Sequence, residues 1–173
     1  PWVSAHPDTI LTMGTKEILF RTKHIGWGTD THLYRTATAF KSEFPARLTN
    51  AGPRVIKRNR GNDGQGVWKV ARAGDRIEVL HAQRGSVPET MTLDAFMARC
   101  EGYFGEPNGC IVDQPFQPRL PDGMIRCYMG TDKVVGFGHQ FIKALIPPPP
   151  EGPNAPEAQP FIQREYRKGW TLG

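Results

Sequence analysis

Two stretches carry side chains that can do chemistry. The first is RVIKRNRGNDGQGVWKV, Arg54 to Val70. Lys57 follows the apolar pair Val55-Ile56. Three glycines come next, Gly61, Gly64 and Gly66, with Asn62, Asp63 and Gln65 between them. A glycine-rich loop between two strands can lie close over a phosphate chain, because without a Cβ its N–H groups can approach and turn inward. Lys57 adds a mobile positive charge. An ordinary hairpin tip with surface lysines fits the same letters, and the spacing matches neither the Walker A loop nor GxGxxG. The second stretch is IVDQPFQPRLPDGMIRCYMG, Ile111 to Gly130. An apolar strand ends there at Asp113-Gln114. A strand that stops being paired leaves main-chain N–H and C=O groups that can read the edge of a purine. Arg126, further on, can meet an anion; a proline-rich crossover with a surface arginine is the plainer alternative.

The elements that must position these residues follow from pattern. Asp8 to Arg21 has a helical spacing of Ile10, Leu11, Met13, Ile18 and Leu19, with Asp8 as a cap. Gly14 interrupts it at a cost of about 1 kcal/mol, so MGTK, Met13 to Lys16, marks either a break or a close approach. His24 to Tyr34 reads as a loop into a strand. Thr38 to Leu48 is a helix pairing Phe40 with Phe44, stopped at Asn50-Ala51-Gly52-Pro53. Val67 to Arg72 and Arg76 to His81 form a hairpin about Ala73-Gly74-Asp75, with Ile77 and Val79 inward. Thr92 caps a helix whose stripe is Leu93, Phe96, Met97, Cys100 and Phe104. Cys110 to Gln114 is a buried strand, after which Pro115, Pro118 and Pro121 bar regular pairing. Ile125 to Met129 and Lys133 to Phe137 form a second hairpin, with Ile125, Cys127 and Met129 on one face and Arg126 and Tyr128 on the other.

Composition narrows the function classes. With 38% apolar and 23% charged residues, the 173-residue chain is globular rather than disordered. The net charge of +5 suits an anionic partner without choosing one. Three cysteines without a CxxC indicate neither a disulfide framework nor a zinc ribbon, and a reducing cytoplasm is the simplest setting. No HExxH or GxSxG occurs, so metalloprotease and serine-hydrolase readings have no support, and no metal site is assigned. No apolar run is long enough for a membrane span. The expected organisation is a nucleotide-binding region over residues 1–146, a proline-rich linker over 147–160 and the start of a further element over 161–173. The chain is expected to be a piece of a longer protein.

The order of MGTK, VIKRNRGNDGQGVWKV, a helix and VDQPFQPRLPDGMIR resembles the ATP-grasp superfamily, nearest its glutathione synthetase-like branch. The resemblance runs from about Leu11 to His139. It implies an α+β fold of mixed and antiparallel sheets with helices on one side and a nucleotide between two lobes. It also implies ATP-dependent carboxylate–amine ligation through an acylphosphate, with ATP and Mg2+ required and the acid and amine unspecified. Lys16 and Lys57 match the phosphate-contacting lysines, and Gly61 to Gly66 the loop over the β- and γ-phosphates. Asp113, Gln114 and Phe116 match the adenine hinge, and Arg126 an arginine on the acceptor side. Where the family often places a ribose-binding acid, this chain has Met124, and Asp122 is the nearest substitute. The family's aspartate and Glu-x-Asn metal ligands have no counterpart among Asp132, Glu151, Glu157 and Glu165, so those ligands are expected outside this chain. Two other readings stand beside this one. A basic cluster of Arg54, Lys57, Arg58, Arg60, Lys69 and Arg72 near Trp68 suits nucleic acid, and a non-catalytic ATP-grasp scaffold suits the missing ligands.

Overall fold

The computed structural model describes residues 6–26, 29–83, 85–130, 132–141 and 145. The chain divides into two compact units, Pro1–Phe116 and Gln117–Gly173. Residues 147–173, read above as a linker and a further element, lie outside the described residues.

In the first unit the elements are α1 (Pro7–Met13), α2 (Ile18–Arg21), β1 (His32–Tyr34), α3 (Ala37–Asn50), β2 (Arg54–Arg58), β3 (Val67–Ala73), β4 (Arg76–His81), β5 (Glu89–Met91), α4 (Leu93–Cys100) and β6 (Ile111–Pro115). The strands make one sheet in the order β1-β6-β2-β3-β4-β5. Every pair in it is antiparallel. The protein is therefore α+β, with antiparallel sheets among the described residues.

Directly opposed residues of antiparallel strands project to the same face. Arg54 opposes Val70, and Ile56 opposes both Trp68 and Asp113. These side chains, with Tyr34, Ile77, Val79 and Ile111, turn toward α3 and α4. There they meet Phe40, Phe44 and Leu48 of α3, and Phe96, Met97 and Cys100 of α4, in one buried cluster. Phe40 and Phe44, one helical turn apart, stack with centroids 4.9 Å apart. Caps fix both helix starts: Thr36 accepts from the N–H of Ala39, and Thr92 from that of Ala95. The opposite face carries Val55, Lys57, Lys69, Leu80, Val112 and Gln114.

Three expectations change here. Asp8 to Arg21 is two short helices, because the chain breaks after Met13 at Gly14. His6, not Asp8, caps α1, and its apolar residues Ile10, Leu11 and Met13 are exposed rather than buried. Pro115 still belongs to β6, opposite Arg54 at the strand end, where its missing N–H costs little.

The second unit holds a 3-10 turn at Leu120–Asp122 and a hairpin of β7 (Met124–Gly130) and β8 (Lys133–Gln140). A bulge between Tyr128 and Met129 breaks the simple alternation expected for β7. All seven of its residues are exposed, so neither face is buried.

Candidate functional site

The face turned away from α3 and α4 brings several of the expected residues together. Lys57 lies inside β2, one residue before its end, and opposite Val112. Its Nζ donates to Gln114 Oε1 at 2.6 Å. The Gln114 amide in turn donates from Nε2 to Thr31 Oγ1 at 2.9 Å. Beside them Lys69 Nζ sits 4.3 Å from the centroid of the Phe116 ring, a cation–π contact. Phe116 itself is held by its N–H, which donates to the Pro53 carbonyl at 2.9 Å. Val55, Leu80 and Val112 supply buried apolar surface on the same face.

Lys16 joins this group from outside the sheet. Its N–H donates to the Asn59 carbonyl at 2.9 Å, and its Nζ to the Gly61 carbonyl at 3.0 Å. Burial, and then the Lys16 charge, push the Lys57 ammonium down to about 8. Burial, and then Arg58, lower that of Lys16 as well. Among the described residues no carboxylate is bonded to either lysine, and the two lie within electrostatic reach of each other.

The glycine loop is built rather than merely tolerant. Gly61, Gly64 and Gly66 take φ of +138°, +78° and +63°, which other residues rarely adopt. A Cβ on Gly64 would lie 2.4 Å from the Ala82 carbonyl oxygen, and one on Gly66 2.3 Å from Arg58 Cδ. The Gly66 N–H donates to His81 Nε2 at 3.2 Å and the Gln65 N–H to the Asn62 carbonyl at 2.9 Å. His81 stacks on Trp68 at 4.1 Å, which anchors the loop's second half to the sheet. Gly61, Asn62 and Asp63 are exposed at the other half. Among the described residues, no protein acceptor meets the N–H groups of Asn62, Asp63 and Gly64. The glycines thus have a packing reason independent of any ligand, and they leave one run of amides facing outward.

Asp113 does a different job from the one the hinge reading gives it. Its main chain is paired on both sides, to His32 of β1 and Ile56 of β2. The strand loses its β1 neighbour only after Asp113, so the open edge begins at Gln114. The Asp113 carboxylate is fully buried and points at the helix side. Oδ1 accepts from Arg54 Nε at 2.6 Å; Oδ2 accepts from Arg47 Nε at 3.0 Å and from the Tyr34 hydroxyl at 2.9 Å. Asp30 completes the network with Arg47 and Arg54, and Arg47 first, then both charges, hold its carboxyl below the usual range. Asp113 is a structural counter-ion for Arg54, whose guanidinium is only 1% exposed.

This also dismantles the basic cluster. Arg54 is consumed by Asp113, and Trp68 is 8% exposed beneath the helices. Lys57 and Lys69 project to the other face. The six cations and the tryptophan therefore form no single stacking surface.

Asp122 and Arg126 belong to the second unit. Asp122 Oδ2 accepts from Arg119 Nε at 2.8 Å, and its carbonyl meets His139 Nε2 at 2.8 Å. Arg126 Nε donates to Gln140 Oε1 across the hairpin. Both side chains are on the surface. Among the described residues no three His, Cys, Asp or Glu side chains gather as a metal site. Asp63 is exposed in the loop and Asp113 is committed to arginines, so the described residues do not fit a magnesium ion. Cys100 and Cys110 are buried and Cys127 exposed, and all three are free. No described helix is long and apolar enough to cross a membrane.

Sequence reasoning missed Asn59, Thr31 and the Lys69–Phe116 contact. Asn59 falls within the stretch read as a loop, yet it is 2% exposed. Nothing local marks it, since its side-chain partners are 42 and 49 residues away. Compared with known proteins, the chain matches no family, no curated protein and no solved structure.

Proposed function

We propose that the sheet face bearing Lys57 binds the nucleoside triphosphate of an ATP-grasp-like, ATP-dependent carboxylate–amine ligase. The observation that carries the reading is the junction of Lys57, Lys16 and Gln114 beside a loop with outward amides. Lys16 and Lys57 are charges for phosphate oxygens; Asn62 to Gly64 offer N–H groups to the same oxygens. The Phe116 ring, partly exposed, offers apolar surface for a base, and the edge that opens at Gln114 offers main-chain groups to its rim. Phosphoryl transfer to a carboxylate needs positioning and charge neutralisation rather than a nucleophilic side chain. That suits a site made of lysines, amides and one glutamine. No step is assigned to magnesium, for which the described residues supply no ligand set.

The test is hydrogen exchange with and without millimolar ATP, on the wild type and on Lys57→Met. The amides of Asn62, Asp63 and Gly64 exchange fast in the free protein and become protected with ATP, while those of Gln65 and Gly66 are protected in both states. Lys57→Met abolishes the gain. Equal exchange with and without ATP in the wild type refutes the assignment.

A further inference from the structure

Asn59 ties the Lys16-Glu17 pair and Asn108 to the end of the β2–β6 ladder. It follows β2 directly, and its side chain is buried. Its Oδ1 accepts the N–H of Glu17 at 3.0 Å, and its carbonyl accepts that of Lys16 at 2.9 Å. Its Nδ2 donates to the Asn108 carbonyl at 2.8 Å, and its own N–H to the Cys110 carbonyl at 3.1 Å. Every hydrogen-bonding group of the residue is thus engaged, and two of the four bonds go to the Lys16-Glu17 pair.

That docking is costly electrostatically. It brings the Lys16 ammonium close enough to Lys57 to disfavour the Lys57 charge, and close to Arg58 as well. Glu17, the nearest acid in sequence, is engaged elsewhere, by Arg35 at 2.7 Å. A fold gains nothing from placing two uncompensated cations together; a site for a polyanion does. Lys16 precedes α2, a helix of only four residues whose Ile18 and Phe20 are partly buried, and α1 before it buries nothing. The hydrogen bonds of Asn59 fix the main chain of Lys16 and Glu17 to the end of β2.

We propose that Asn59 is the positioning residue that joins Lys16 to Lys57 as one site for an oligophosphate. The inference rests on the phosphate half of the function proposed above, and not on its nucleoside or ligase half. Asn59 touches no ligand itself; it acts through the N–H of Glu17 and the main chain of Lys16. The ligand it prepares for carries at least two linked phosphate groups, since two ammonium groups and the adjacent amides exceed what one phosphate needs.

The experiment reads the Lys57 side chain directly, by NMR titration of labelled lysine, in the full chain. In the wild type its midpoint lies near 8. Lys16→Met moves it up toward the ordinary lysine value. Asn59→Ala shifts it in the same direction, because the Glu17 N–H loses its side-chain acceptor and the Lys16-Glu17 pair keeps only the main-chain bond to residue 59. Glu17→Pro approaches the same bond from its other end: it deletes the N–H that Asn59 accepts, and the φ of −54° at Glu17 suits proline. Glu17→Ala keeps that N–H and loses only the Arg35 pair, so it leaves the midpoint where it was. A simple loss of stability would not sort the variants this way. In parallel, inorganic tripolyphosphate is titrated calorimetrically. The wild type binds it, and Asn59→Ala and Glu17→Pro weaken binding about tenfold or more, the scale of one lost charge-assisted contact. A Lys57 midpoint unmoved in both of those variants overturns the proposal, as does a wild type that ignores tripolyphosphate. Should tripolyphosphate bind in this pattern while ATP gives the loop amides no protection, the Asn59 assignment stands and the nucleotide-ligase reading fails.

Discussion

At Asp113 and Lys57, two charged residues on neighbouring strands, burial has opposite consequences. Asp113 is compensated by two arginines and a tyrosine hydroxyl. Removing its charge leaves the buried Arg54 with only the exposed Asp30 as a counter-charge, so Asp113→Asn is expected to destabilise the protein by about 3 kcal/mol in urea unfolding. Replacing Arg54 and Asp113 together by Met and Leu should cost less than the two single changes added, because no buried charge is then left alone. Lys57 has only a neutral amide as partner, and its folded pKa of about 8 lies below the ordinary 10.5. Between those values the unfolded chain binds more protons than the folded one, so this group's contribution to stability rises with pH over that window. At pH 7 the charged Lys57 therefore weakens the fold, and Lys57→Met should be the more stable protein there, by about 2 kcal/mol. The gap should close by pH 10.5. Thermal denaturation of both proteins across this range checks it; a wild type that is the more stable at pH 7 shows that Lys57 is not strained. The sequence marked Lys57 as a candidate but carried no sign of its burial, nor of the arginine partners of the Asp113 side chain. A carboxylate at the end of an apolar strand looks the same whether it faces a purine or an arginine 59 positions back in the chain.

The elements that were legible are those whose reason is local. The β3–β4 hairpin announces itself by alternation about Ala73-Gly74-Asp75, and α4 by Thr92 and an apolar stripe. Thr92→Ala should cost about 1 kcal/mol through the lost cap to Ala95. By contrast β5, three residues without an apolar alternation, takes its place only because β4 offers an edge. The α1–α2 break takes one of the two readings that Gly14 left open, since the five apolar residues at helical intervals did not decide between them. The glycine loop was legible as a loop, but its shape depends on Arg58 and Ala82, which the pattern cannot place. That shape makes a graded prediction. Gly64→Ala pushes a Cβ into backbone, at Ala82, and should destabilise by about 2 kcal/mol or more. Gly74→Ala, at φ +65° with open space around it, should cost no more than about 1 kcal/mol. Equal losses at the two positions would mean that the loop does not rest against Ala82.

At the scale of the whole molecule the two units differ in what holds them. The first has a buried cluster drawn from five of the sheet's six strands and from two helices, with Met91 of β5 packed against it. The second, among its described residues, is a two-stranded hairpin with every β7 side chain exposed, and such a hairpin is marginal in water by itself. The boundary at Phe116 and Gln117 is followed by exposed Arg119, whose side chain is 87% accessible and bonded only to Asp122. Brief tryptic digestion should therefore cut after Arg119 well before any arginine or lysine of the sheet, leaving a fragment that ends there. That fragment keeps Lys16, Asn59, Lys57, Gln114, Lys69 and Phe116. It should still unfold cooperatively and still bind tripolyphosphate, because no bond described within that group involves a residue beyond Phe116. It loses Arg126 and the β7–β8 hairpin. Mass spectrometry of the early digest, urea unfolding of the isolated fragment and calorimetry with tripolyphosphate test the three parts separately. A fragment that unfolds without cooperativity shows that the sheet needs the second unit. One that folds but has lost tripolyphosphate shows that the anion site does.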